Sequence, residues 1–163
     1  MKRRQLLLGL PSGLAAALPA GAAPEDKLWA SRFARPGGDE LVMQELKGRW
    51  LFVNFWATWC APCIRELPDL DAFARTNTQW TVLGLAIDGP TPVREFLAKR
   101  PVGFAIGLAG LSGSELARHL GNKTGALPFS VALNPQGRIV WRRLGVTHPA
   151  DLEKLAELPQ SKG

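Results

Sequence analysis

Cys60 and Cys63 are the only cysteines in the 163-residue chain, set as Cys60-Ala61-Pro62-Cys63. At that spacing two thiols can close a disulfide within one helical turn, supply half of a zinc site, or act as a redox couple. A staple around so short a loop would remove little chain entropy. Zinc normally takes four ligands, and only His119 and His148 are left to join the pair. Context favours the redox couple. The apolar run Trp50 to Trp56 reads as a buried strand, too short for a helix and preceded by Gly48. It delivers the chain to the cysteines where a helix should begin. A thiol there faces unpaired backbone N–H groups and the positive end of the helix dipole, which favour its thiolate. With Cys60 as the N-cap, Cys63 falls at N3 and its N–H reaches the Cys60 sulfur. Pro62 has no N–H to offer, but its fixed φ suits a first turn. In this geometry Cys60 is the exposed attacking thiol and Cys63 the deeper one that resolves a mixed disulfide.

The elements that must hold this pair follow from periodicity and punctuation. Leu28 to Phe33 and Glu40 to Val42 read as short strands around the turn Pro36-Gly37-Gly38-Asp39, and Met43 to Leu46 as a short turn. After the central strand, a helix runs from Ala61 to Arg75, with Pro68 kinking its interior. Trp80 to Ile87 is a second buried strand. Thr91-Pro92 opens a helix to Lys99, Phe104 to Gly107 is a short strand, and Ser112 to Glu115 fits a capping box for a helix closed by Gly121. Phe129 to Leu133 and Arg138 to Arg143 pair through the turn Asn134-Pro135-Gln136-Gly137, and a last helix covers Ala150 to Leu158. Strands alternating with helices mean an α/β sheet covered on both faces. His119 and His148 read as helix-surface residues, and Asp88-Gly89-Pro90 as a turn.

The stretch Trp56-Ala57-Thr58-Trp59-Cys60-Ala61-Pro62-Cys63 resembles the active site of the thioredoxin superfamily, most closely that of the exported TlpA/ResA-like thiol–disulfide oxidoreductases. The resemblance covers nearly all of the chain after residue 24. It implies a thioredoxin-like fold over residues 24–163, a central mixed sheet flanked by helices, with an N-terminal β-hairpin extension. Most X-Pro bonds are trans, but the resemblance implies that Pro128 is a cis-proline facing the pair. A cis bond would turn the Leu127 backbone outward, where an extended substrate can pair with it. Trp59 would form an apolar shoulder beside Cys60 for a docking protein, while Trp56 reads as core. Thioredoxins themselves hold a buried Asp where this chain has Asn54, which cannot titrate. Glu66, one turn beyond Cys63, is a TlpA/ResA-like feature. If buried, its carboxyl has a raised pKa and can carry a thiol's proton; if solvated, it is an ordinary helix carboxylate.

The resemblance further implies a protein-disulfide reductase. Its substrates would be disulfides of exported proteins, such as apocytochrome c or copper-site thiols, and a membrane electron donor would re-reduce it. The pair itself is the redox group. No metal or separate cofactor is expected, no nucleic acid, and a monomer. Two alternatives stay open: a disulfide-forming oxidase of the same fold, and a copper-carrying chaperone using both cysteines and a third soft ligand.

Residues 1–23 read as an export signal: Lys2-Arg3-Arg4, an apolar run from Leu6 to Leu18, and Ala20-Gly21-Ala22 as a cleavage site. Arg3-Arg4-Gln5-Leu6-Leu7 partly matches a twin-arginine signal. The alternative is an uncleaved N-terminal anchor, although the apolar run is short for a span. Either way the expected location is the periplasm. Three of the 20 basic residues lie in this leader, so the formal charge of +6 falls to +3 without it. That excess, with no block of like charge, does not argue for nucleic-acid binding.

Overall fold

A computed structural model describes residues 22–159. The expected export signal up to residue 21 and the end of the chain beyond 159 lie outside the described residues. The elements are α1 (Asp26–Trp29), β1 (Arg32–Ala34), β2 (Glu40–Val42), a 3-10 turn (Met43–Leu46), β3 (Trp50–Trp56), α2 (Ala61–Thr76) and β4 (Trp80–Ala86). There follow α3 (Pro90–Lys99), β5 (Ala105–Leu108), α4 (Gly110–His119), β6 (Phe129–Leu133), β7 (Ile139–Leu144) and α5 (Pro149–Glu157).

The strands form one seven-stranded sheet in the order β2-β1-β5-β4-β3-β6-β7. β3, β4 and β5 run parallel, which requires the crossover helices α2 and α3 between them. β6 returns antiparallel to β3, with Phe129 opposite Phe55, and β7 and the β1–β2 hairpin complete the mixed sheet. The thioredoxin-like α/β architecture and its hairpin extension are therefore as expected.

Alternation along β3 divides the core into two layers. Leu51, Val53 and Phe55 face the cluster built with α1 and α4, whereas Phe52 and Trp56 face the cluster built with α2, α3 and α5. By the same parity Asn54, wholly buried, points toward α2. The centre is tight. A Cβ on Gly84 of β4 would stand 2.8 Å from Ile106 Cδ1 and 3.0 Å from Trp56 Nε1, so only glycine fits there without displacement. Among the described residues no helix is long and apolar enough to cross a membrane.

Several boundaries differ from the sequence reading, each for a local reason. Leu28 to Phe33 is not one strand: α1 ends at Trp29 and β1 begins at Arg32. Leu28 and Trp29 are adjacent yet both buried in the same core layer on one side of the sheet, which a helical turn allows and strand alternation does not. The Trp29 indole also donates to Gly137 O at 2.9 Å, tying α1 to the β6–β7 turn. α3 opens at Pro90, with Gly89 as N-cap, because both prolines fall within the first turn, where backbone N–H groups have no helical partner. α4 begins at Gly110, before the expected cap. Ser112 Oγ donates backward to Ala109 O at 2.8 Å and does not cap. β5, β7 and α5 are displaced by a single residue from the expected bounds, and β4 ends at Ala86.

Candidate active site

The site lies at the edge of the sheet where the parallel strands end. β3 stops at Trp56, whose carbonyl accepts from Ile87 N at 2.8 Å, and the chain turns through Ala57-Thr58-Trp59 into α2. Cys60 caps that helix in an extended conformation (φ −93°, ψ 97°), and its Sγ accepts from Cys63 N–H at 3.3 Å. Ala61, Pro62 and Cys63 are therefore N1, N2 and N3. The two cysteines form a disulfide with their Cα atoms 5.3 Å apart. Cys63 is fully buried. Cys60 was expected to be exposed, yet only 6% of it is accessible; the disulfide draws its sulfur in toward Cys63. The order of access holds, and the opening over Cys60 is narrow.

Around the pair, Trp59 is 70% exposed, the largest aromatic surface on this edge, while Trp56 is wholly buried. Pro62 is half-buried. The Leu127–Pro128 bond is cis, and Pro128 lies just before Phe129, the residue opposite Phe55 of the central strand. Leu127 is half-buried against the apolar cluster that contains both cysteines. Of the residues singled out from sequence, the structure thus brings Cys60, Cys63, Trp59, Pro62, Leu127 and Pro128 to one edge.

Glu66 lies one turn along α2 from Cys63, and only 1% of it is accessible. Its two oxygens are both engaged: Oε1 accepts from Asn54 Nδ2 at 2.6 Å, and Oε2 accepts from Thr147 N at 2.6 Å. Asn54 Nδ2 also donates to Ser130 Oγ at 3.0 Å, and the hydroxyls of Thr147 and Ser130 are 3.3 Å apart. Asn54, Glu66, Ser130 and Thr147 are all buried, so four polar side chains share one pocket under α2. Burial pushes the Glu66 carboxyl up to about 7 from an ordinary 4.5, and the bonds from Thr147 and Asn54 only partly offset this. Asn54 Oδ1 is buried without a hydrogen-bond partner. A half-turn of this amide would exchange its oxygen and nitrogen, giving a protonated Glu66 an acceptor.

Three residues of this edge escaped the sequence reading. By sequence Asp88 is part of a turn, but its Oδ2 accepts from Thr58 N at 2.6 Å and fixes the loop that leads into Cys60. The signal was its place at the carboxyl end of a parallel strand, where functional groups of α/β sheets collect. Ser130 and Thr147 had no local signal, since each is defined by distant partners. His119 lies against Lys27 and His148 caps α5, and neither approaches the cysteines in any hydrogen bond or ion pair of the described residues. No group of three or more His, Cys, Asp or Glu side chains among the described residues could hold a metal ion. What this arrangement can do is exchange two electrons and two protons. The N–H of Cys63 and the helix dipole stabilise a thiolate on Cys60, and a carboxyl that titrates near neutrality sits one turn away.

A family model described as Redoxin matches residues 20–158. The thiol-disulfide oxidoreductase ResA of Bacillus thuringiensis (strain Al Hakam) is 27% identical over 119 residues, which is 71% of this chain and 66% of that protein. ResA of Bacillus subtilis (strain 168) is 27% identical over 108 residues, 63% of this chain and 57% of that one. The chain thus spans less than two thirds of the length of these curated relatives, 66% of the first and 57% of the second. Among solved structures, MTB dsbF in mixed oxidised and reduced forms superposes with a TM-score of 0.71 at 21% identity, covering 84% of this chain and 98% of that one. A thioredoxin-related protein from Neisseria meningitidis serogroup B gives a TM-score of 0.69 at 27% identity, over 81% of this chain and all of that one.

Proposed function

The chain belongs to the redoxin family, and on that premise we propose that it is an exported thiol–disulfide oxidoreductase that reduces disulfides in periplasmic proteins. The observation that carries this reading is the Cys60–Cys63 pair on the first turn of α2, with the Cys63 N–H on the Cys60 sulfur. In the reduced protein the Cys60 thiolate attacks one sulfur of a substrate disulfide. The first substrate thiolate leaves, and a mixed disulfide forms through Cys60. Cys63, deprotonated, then attacks the Cys60 sulfur, re-forming the protein disulfide and releasing the second substrate thiol. Two electrons pass from the pair to the substrate, and a membrane electron donor would restore them.

Cys63 is buried, so its proton needs a nearby acceptor. Glu66 suits that task, because a carboxyl balanced near pH 7 can both take and return a proton at working pH. Asn54 and Thr147 hold it in place through bonds to both oxygens. Trp59 and Pro62 would border the bound substrate, and Leu127 and Pro128 would offer it backbone and apolar contact. The preference for the reductive direction, for apocytochrome c or copper-site thiols as targets, and for the periplasm as location comes from the TlpA/ResA resemblance and from the leader read in residues 1–23.

The equilibrium reduction potential of the pair, set against a glutathione or dithiol couple, tests the direction. A reductant of thioredoxin type lies near about −270 mV, and a disulfide-forming oxidase near about −120 mV. A value at the oxidising end would overturn the reductase reading and leave the exchange chemistry standing.

A further inference from the structure

The exchange reading leaves unexplained the turn that brings Leu127 to the active-site edge, residues 121–126 between α4 and Pro128. Asn122, only 2% accessible, organises it. Its Nδ2 donates to Ala126 O at 2.8 Å, and its Oδ1 accepts from Gly125 N at 3.0 Å and from Thr124 Oγ1 at 3.3 Å. Gly121 (φ +117°) and Gly125 (φ +74°) supply backbone conformations that other residues avoid. The turn is therefore a fixed platform.

Cations surround it. Lys123 is exposed within the turn itself. Arg118, exposed on the last turn of α4, brings Nη2 to 3.3 Å from where a Cβ would stand on Gly125. Arg142 of β7 donates from Nε to Leu120 O at 2.7 Å, behind the turn. Among the described residues the ion pairs belong to Arg32, Arg35, Arg75, Arg138 and Arg143, and none of these three cations has a carboxylate partner. Of the acids, Glu115 of α4 lines the groove toward α1 together with Lys27 and His119, and Asp88 holds Thr58 N–H.

We infer that this basic collar selects the substrate: the fitting partner is a disulfide-bearing protein segment with acidic residues within a few positions of its target cysteine. The inference rests on the exchange reading and names its substrate class. The segment's disulfide takes two electrons from the Cys60–Cys63 dithiol, giving two segment thiols and the protein disulfide. Its carboxylates meanwhile lie against Arg118 and Lys123 as it docks beside Leu127. Gly125 and Leu127 are separated by at most about 7 Å of chain, inside the Debye length of about 8 Å at physiological salt. A unit pair about 8 Å apart in water changes association about 2.4-fold, so two such cations give about five- to sixfold at low salt. Because the collar acts on encounter, the effect belongs in kcat/KM and weakens as salt rises.

The test uses the reduced full chain and three disulfide-bridged peptides that differ only in acidic, neutral or basic flanks, with kcat/KM measured at low and at high ionic strength. The expected result is a preference for the acidic peptide over the neutral one of about five- to sixfold at low salt, with the basic peptide slowest. That preference should vanish at high salt and in the double variant Arg118→Gln/Lys123→Gln, which should still reduce the neutral peptide at the wild-type rate. Equal rates on all three peptides, or a preference that survives the double variant, would overturn the inference and leave the exchange reading intact. Failure to reduce any of the three would overturn the exchange reading and the inference together.

Discussion

Replacing Glu66 with Gln removes the carboxyl group from the pocket under α2, and its consequence for stability can be worked out in sign and size. In the folded protein burial, the largest influence, holds this carboxyl at about 7, against 4.5 when unperturbed. The folded state thus binds the proton more tightly than the unfolded chain. The resulting stabilisation is fully present below about pH 4.5 and is lost as pH rises through about 7. A displacement of that size amounts to about 3 kcal/mol across the window. Gln cannot titrate, so the variant lacks this pH dependence. It does carry a constant cost, since one of its terminal atoms is an N–H donor facing either Thr147 N–H or Asn54 Nδ2 where the carboxylate accepted from both. The quantity to read is therefore the change in the difference between the two proteins. Urea unfolding of the oxidised forms at intervals from pH 4 to pH 8 gives that difference, and other titrating groups cancel. The variant should gain about 3 kcal/mol relative to the parent from the acid to the alkaline end. A difference that stays constant with pH would refute the reasoning, because Glu66 would then titrate alike in both states.

Asp88→Ala should free Thr58 N–H, loosen the loop into Cys60 and slow disulfide exchange, whereas Asp88→Asn keeps an acceptor and most of the rate; stopped-flow reduction of a model disulfide separates the two. Asn122→Ala should cost about 2 kcal/mol in urea unfolding, since Ala126 O and Gly125 N lose their partner. Its KM for a peptide disulfide should rise more than its KM for a small-molecule disulfide. Gly84→Ala forces a methyl group to within 2.8 Å of Ile106 Cδ1 and should lower stability by about 1–3 kcal/mol, visible as a reduced melting temperature.

The parts of this molecule that sequence made legible are those encoded locally. The apolar run of β3, the cysteine at N-cap and its partner at N3 are each written within one stretch, and β3 and β6 have the expected bounds. The hairpin extension lies where the sequence places it, but a short helix precedes its first strand. Leu28 and Trp29 suit a strand by residue type, and only their burial in one core layer, with the Trp29 indole on the β6–β7 turn, selects a helix. Glu66 shows the other limit. On α2 alone it could equally face water, and its burial depends on Asn54, twelve residues before it, and on Thr147, eighty-one after it. Asp88 was hidden differently, because Asp-Gly-Pro makes a good turn whether or not its carboxylate also reaches Thr58.

The central claim is a division of labour on the first turn of α2, in which Cys60 attacks and Cys63 resolves. It is tested most directly by exposing the reduced variants Cys63→Ser and Cys60→Ser to the same disulfide and timing adduct formation by mass spectrometry. The account predicts a stable mixed disulfide on Cys60 in the first variant and almost none in the second, whose remaining thiol is wholly buried in the native fold. Adducts forming equally fast on Cys63 would contradict it.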